Sequence, residues 1–109
     1  MDRVLNYIDG NWTEASDGVF FDVINPASGE IVAKAAKGTV DDAKRAIMAA
    51  KREFYENKNG WRRFSAVKRS EILLKIADKL ESLRDEFART ETIDNGKPLR
   101  EAYGDVDDA

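Results

Sequence analysis

SAVKRSEILLKIADKLESLRDEFARTETIDNGKP, residues Ser65 to Pro98, carries the long helical run of the chain and the sharp stop that ends it. Val67, Ile72, Leu73, Ile76, Leu80, Leu83, Phe87 and Ile93 recur at spacings that place them along one side of a 3.6-residue helix. Lys68, Arg69, Lys75, Lys79 and Glu86 fall mainly elsewhere. An apolar face of that length needs a partner surface. Ser65 is placed to cap the start, because its hydroxyl can accept from first-turn N–H groups that have no carbonyl partner. Ser82, three residues before Asp85, offers a second capping signal. Two helices are therefore predicted, roughly Ala66 to Glu81 and Leu83 to Ile93, with a joint near Ser82. Asp94-Asn95-Gly96-Lys97-Pro98 then stops the run. Either Asn95 or Gly96 can take the left-handed conformation that ends a helix, and Pro98 suits the first turn of another.

Upstream, Leu5 to Ile8 and Asn11 to Glu14 flank Asp9-Gly10, a pair suited to the positive φ angles of a two-residue hairpin turn. This register puts Tyr7 opposite Trp12. An aromatic pair of that kind contributes about 0.5 to 1 kcal/mol, too little to hold an isolated hairpin, so its apolar face is expected to dock elsewhere. Val19 to Ile24 and Glu30 to Ala35 form a second β pair around Asn25-Pro26-Ala27-Ser28-Gly29, where Pro26 fixes φ and Gly29 permits a left-handed exit. Thr39 is placed to cap a helix from Val40 to about Tyr55, with Asp42 completing a short capping box. Val40, Ala43, Ile47, Ala50 and Phe54 share one face of that helix. Glu56 to Gly60 reads as a polar connecting loop. Asp105 to Ala109 shows no helix-ending signal, so the last helix is expected to stop in mid-pattern, as in a truncated chain.

With 109 residues, 42% apolar and 36% charged, the chain has the size and composition of one soluble globular domain. It contains no cysteine and no histidine, which removes disulfides, thiolate zinc sites, cysteine nucleophiles and imidazole triads from these residues. A net charge of −3 and a pI of 5.0 argue against a dedicated nucleic-acid binder. The basic exception, Trp61-Arg62-Arg63-Phe64 followed by Lys68 and Arg69, reads as a solvated helix entrance with Trp61 and Phe64 packed inward. No apolar run of about 18 residues is available for a membrane span, and no signal-peptide core follows Met1-Asp2-Arg3, so a cytoplasmic location is expected. There is no Gly-x-Gly-x-x-Gly and no phosphate loop ending in Lys-Ser or Lys-Thr. Asp41 with Asp42, and Asp107 with Asp108, are sequence neighbours that point in different directions on a helix. They read as a cap and a solvated tail, not as a catalytic pair.

The segment Glu91-Thr92-Ile93-Asp94-Asn95-Gly96-Lys97-Pro98 resembles the E-T-x-D-x-G-K-P segment of the NAD(P)-dependent aldehyde dehydrogenases. Asn25-Pro26-Ala27-Ser28-Gly29-Glu30 is similar to the N-P-x-x-G-E turn of the same family, and Tyr7 to Trp12 to its opening hairpin. The resemblance covers about Leu5 to Tyr103. It implies an α/β fold, of which this chain supplies the N-terminal part: two β-hairpin-like pairs followed by three to four helices flanking the cofactor domain. On that reading residues 1–109 are the N-terminal portion of the cofactor-binding domain.

The resemblance further implies oxidation of an aldehyde to a carboxylic acid with NAD or NADP, in a parent that is a homodimer or homotetramer. That chemistry uses a cysteine thiolate, a general base, an oxyanion-stabilising asparagine and a glycine-rich dinucleotide turn, all lying beyond the part this chain represents. The segment alone is therefore expected to be inactive. One site carries over. Many family members hold a monovalent cation, K or Na, and the matching positions here are the backbone oxygens of Val23 and Ile24 and the carboxylate of Asp94, with at least one further ligand outside the chain. A hard cation suits an all-oxygen site beside a helix end. The simpler role for Asp94 is to accept from nearby backbone N–H groups. The alternative to the family reading is an autonomous α+β interaction module that uses the apolar helix faces to bind a partner.

Overall fold

The computed structural model describes residues 2–109. Five strands lead into four α-helices among these residues: β1 (Asp2–Val4), β2 (Asn6–Ile8), β3 (Asn11–Thr13), β4 (Phe20–Ile24), β5 (Ile31–Ala36), α1 (Val40–Glu56), α2 (Ala66–Ser82), α3 (Arg84–Asn95) and α4 (Leu99–Asp108). A short 3-10 turn, Trp61–Arg63, precedes α2. The elements fall into two compact units, Met1–Val23 with Ala33–Arg63, and Ile24–Val32 with Phe64–Ala109.

In the first unit the β2–β3 hairpin has the expected register. Tyr7 pairs with Trp12, the two rings lie 4.8 Å apart, and Asp9 and Gly10 both have positive φ, at 54° and 77°. The hairpin docks on α1, where Arg52 donates to the Asp9 carboxylate at 2.6 Å. β1 is an element that the sequence pattern does not show. Asp2-Arg3-Val4 is too short and polar to display a period, yet it pairs in parallel with β5, Asp2 to Ala33 through Val4 to Ala35. β5 is thereby the middle strand of the order β1-β5-β4. An ion pair between Lys34 and Asp22 ties β5 to β4.

The capping box at the start of α1 forms as expected: Asp42 N–H donates to Thr39 Oγ1 at 3.2 Å, and Thr39 N–H donates to the Asp42 carboxylate at 2.9 Å. The same carboxylate also accepts from Ser16 N–H at 3.1 Å and from Arg45 at 2.6 Å, with only 3% of the residue exposed. The Thr39 backbone N–H, then Arg45, then Ser16 hold its pKa far below the ordinary value of 3.8. At the other end Asn57 caps α1 in a left-handed conformation (φ 51°), donating its N–H to Glu53 O. Trp61 does not pack inward as expected but is 42% exposed. Its neighbour Arg62 instead stacks over Phe54, 5.1 Å from the ring centre.

In the second unit Ser65 caps α2 as read, its Oγ accepting from Lys68 N–H at 3.1 Å. The joint falls at Leu83, beside Ser82 as expected, but Ser82 caps nothing. Its hydroxyl donates back to Lys79 O at 2.7 Å, so its oxygen is turned toward its own helix and α3 begins without a side-chain cap. Asp85 and Glu86 in the first turn of α3 supply negative charge at its positive end. α3 and α4 form an antiparallel pair with fully buried Ala88 and Ala102, residues small enough to allow close helix approach. Asp107 is solvent-exposed, as a tail residue would be, but it is paired. Arg84 at the start of α3 donates to it through Nε at 2.5 Å and Nη2 at 2.6 Å while lying 4.4 Å over the Tyr103 ring. Pro98 stands just before α4 as its N-cap, not within its first turn.

Among the described residues the buried apolar positions are Ala15, Ala36, Ala88 and Ala102, and no large side chain is fully buried. The faces of α1 and α2 picked out by their periodicity, including Val40, Ile47, Phe54, Val67, Leu73 and Ile76, remain exposed.

Candidate functional site

The two segments with the most specific sequence signals meet inside the second unit. The turn between β4 and β5 is built from its own side chains. Asn25 Oδ1 accepts from Ala27 N–H at 2.9 Å, Asn25 O accepts from Gly29 N–H at 2.7 Å, and Ser28 Oγ accepts from Glu30 N–H at 3.3 Å. Gly29 leaves the turn with φ 75°.

Opposite this turn lies the α3–α4 junction. Gly96, and not Asn95, takes the left-handed position (φ 76°), and its N–H donates to Thr92 O at 2.9 Å. A Cβ on Gly96 would stand 2.8 Å from Pro26 Cγ and 3.2 Å from Ala27 N. Only glycine satisfies both the dihedral and the contact. Asn95 stays helical and uses Oδ1 to accept from Lys97 N–H at 2.9 Å. Lys97 reaches Glu91 at 2.7 Å and also pairs with Asp105, so it bridges α3 to α4.

This arrangement decides what the junction can do. The hydrogen bonds to Asp105 and then to Glu91 hold the Lys97 ammonium above its ordinary pKa of 10.5, and Lys97 in turn holds Asp105 below 3.8. A lysine acting as base or nucleophile needs the opposite shift. Lys97 therefore acts as a clamp between α3 and α4. Its partners are legible only once α3 and α4 are known to run antiparallel, since Glu91 and Asp105 lie six residues before and eight residues after it.

The residues expected at a cation site are placed as follows. Val23 and Ile24 lie in β4, an outer strand of its sheet, with Val23 in the first unit and Ile24 in the second. Asp94 lies in the last turn of α3, exposed, with no side-chain hydrogen bond or ion pair among the described residues. The backbone-capping role considered for Asp94 belongs to Asn95. Among the described residues no group of three or more His, Cys, Asp or Glu side chains is arranged to hold a metal. No helix there is long and apolar enough to cross a membrane.

A betaine aldehyde dehydrogenase from Staphylococcus aureus, solved in complex with NAD+, superposes on the chain with a TM-score of 0.90 at 41% identity, covering 95% of this chain and 20% of that one. The chain is 38% identical over 104 residues to malonate-semialdehyde dehydrogenase 1 of Shouchella clausii, covering 95% of this chain and 20% of the relative. It is 39% identical over 95 residues to the mitochondrial aldehyde dehydrogenase family 2 member B4 of Arabidopsis thaliana, covering 87% of this chain and 17% of the relative. The chain thus spans about one-fifth of the length of the relatives it matches. Residues 12–109 match the family model for aldehyde dehydrogenases, and with the Asn25 turn and the Gly96 junction meeting in one unit the chain belongs to the aldehyde dehydrogenase family.

Proposed function

We propose that the chain is the N-terminal portion of the cofactor-binding domain of an NAD-dependent aldehyde dehydrogenase that oxidises an aldehyde to a carboxylic acid. The observation that carries this reading is the closure of the Asn25–Gly29 turn on Gly96, which joins the family's two motif segments into one clamp. NAD+ in the S. aureus relative supports NAD as the cofactor. NAD supplies the hydride acceptor when bound, whereas this chain's residues build a scaffold: they carry no thiol, and Lys97 stays protonated. The same reading includes a cytoplasmic location and a homodimeric or homotetrameric parent.

A chimera tests it. When this chain replaces the corresponding N-terminal fifth of a betaine aldehyde dehydrogenase, aldehyde-dependent NADH formation is expected to stay within about tenfold of the parent, roughly 1.4 kcal/mol in the barrier. The isolated chain is expected to form none. A soluble, folded chimera without activity would overturn the reading.

A monovalent cation held by the backbone oxygens of Val23 and Ile24 and by Asp94 belongs to the same proposal. Support comes from the unengaged Asp94 carboxylate at the negative end of α3 and from the all-oxygen donor set that hard cations prefer. In the chimera, KCl is expected to raise the thermal midpoint relative to choline chloride at equal ionic strength. Asp94→Asn should remove that difference, and an unchanged KCl response in the variant would exclude Asp94 as a ligand.

A further inference from the structure

α2 is apolar over far more of its circumference than its own unit covers. At about 100° per residue, Ile72, Ile76, Leu80, Leu73, Ala77 and Leu74 spread over roughly 200°, interrupted chiefly by Arg69 and Glu81. Lys68, Glu71, Lys75 and Asp78 are confined to about 100° on the other side. No residue of α2 is buried, and Ile76 and Leu74, on well-separated parts of the arc, are 59% and 62% exposed. A shallow groove lined by Ile72, Ile76, Leu80, Leu83 and Phe87, with Lys75 and Lys79 also lining it, continues from α2 onto α3.

The width of the arc discriminates between occupants. Two copies of a helix that meet along a seam need only a narrow stripe, whereas a helix apolar around most of its circumference belongs inside a larger protein. The solved relative with the same fold over this region is about five times as long.

We propose that α2 is a docking helix whose occupant is the complementary part of an aldehyde dehydrogenase fold, and that the chain captures this part even when it is supplied as a separate polypeptide. This rests on the functional reading above. The test co-expresses the 109-residue chain with a betaine aldehyde dehydrogenase that lacks its N-terminal fifth, followed by size-exclusion chromatography. The two are expected to co-elute in equal amounts. Ile76→Glu and Leu74→Glu should each lower the recovered complex by about tenfold or more, because each would bury an unpaired carboxylate. Asp78→Lys, on the polar side and outside the groove, should leave it unchanged. Both apolar side chains are already exposed in the free chain, so circular dichroism of the isolated variants should match the wild type. Failure of the wild-type chain to co-elute overturns the proposal, as does a complex indifferent to both glutamates. A self-dimer that Ile76→Glu dissociates also overturns it and makes a second copy the occupant. An active chimera alongside any of these results leaves the functional reading standing.

Discussion

Gly96→Ala is expected to lower the stability of the second unit by about 2 to 5 kcal/mol, combining a left-handed penalty of roughly 1 to 2 with an overpacking penalty of roughly 1 to 3. The first part arises because φ is 76° at this position, where a Cβ crowds the neighbouring carbonyl. The second arises because that Cβ would stand 2.8 Å from the Pro26 ring, which cannot rotate away as a flexible side chain would. Urea titration followed by far-ultraviolet circular dichroism checks the total. The two parts separate in a double-mutant cycle. In a Pro26→Ala background the packing part should largely disappear while the backbone part persists, leaving a coupling of about 1 kcal/mol or more. Strict additivity would show that the turn and the junction do not touch in solution.

The second large effect is expected at Asp42. Its carboxylate accepts from Ser16, Thr39 and Arg45, so Asp42→Asn removes a charge and turns an acceptor into a donor facing other donors. The thermal midpoint should fall by several degrees, while Asp41→Asn, an exposed neighbour in the same helical turn, should leave it nearly unchanged. The pH dependence has a definite sign. Because the folded-state pKa of Asp42 lies below 3.8, its contribution is fully present above that value and is lost as pH falls below it toward the folded pKa. Asp105 and Asp107 are shifted down by Lys97 and Arg84 and add to the same acid-side loss. Lys97 and Arg84 are shifted up, so their contributions fade only as pH rises through their raised values at the alkaline end. A thermal-melt series below pH 4 should therefore show a steeper decline for the wild type than for Asp42→Asn. Parallel declines would mean that Asp42 does not titrate as described.

Local chemistry was legible in the sequence wherever one residue type answers one need. Asp9-Gly10 announces its turn, Thr39 and Asp42 their capping box, and Ser65 its helix start. Residues whose role depends on a distant segment were not legible. Asp2-Arg3-Val4 becomes a strand only because β5 offers it an edge. Asp107 reads as a tail until the α3–α4 pair brings Arg84 to it. Ser82 has the composition of a cap, but its hydroxyl has an equally good acceptor in Lys79 O one turn back. At the candidate cation site, the identities of Val23, Ile24 and Asp94 came from a motif, and nothing local to those residues specifies what binds them.

The parallel pairing of Asp2–Val4 with Ala33–Ala35 also imposes an order on biosynthesis. The β2–β3 hairpin can close in about 1 to 10 μs once its residues are free, because its contacts are local. β1 must wait for a partner roughly thirty residues later, a delay on the order of seconds at ribosomal speed. Throughout that interval the strand is an unpaired ribbon, open to any other edge it meets. Any segment joined directly ahead of it acts on this waiting strand before it can act on the finished fold.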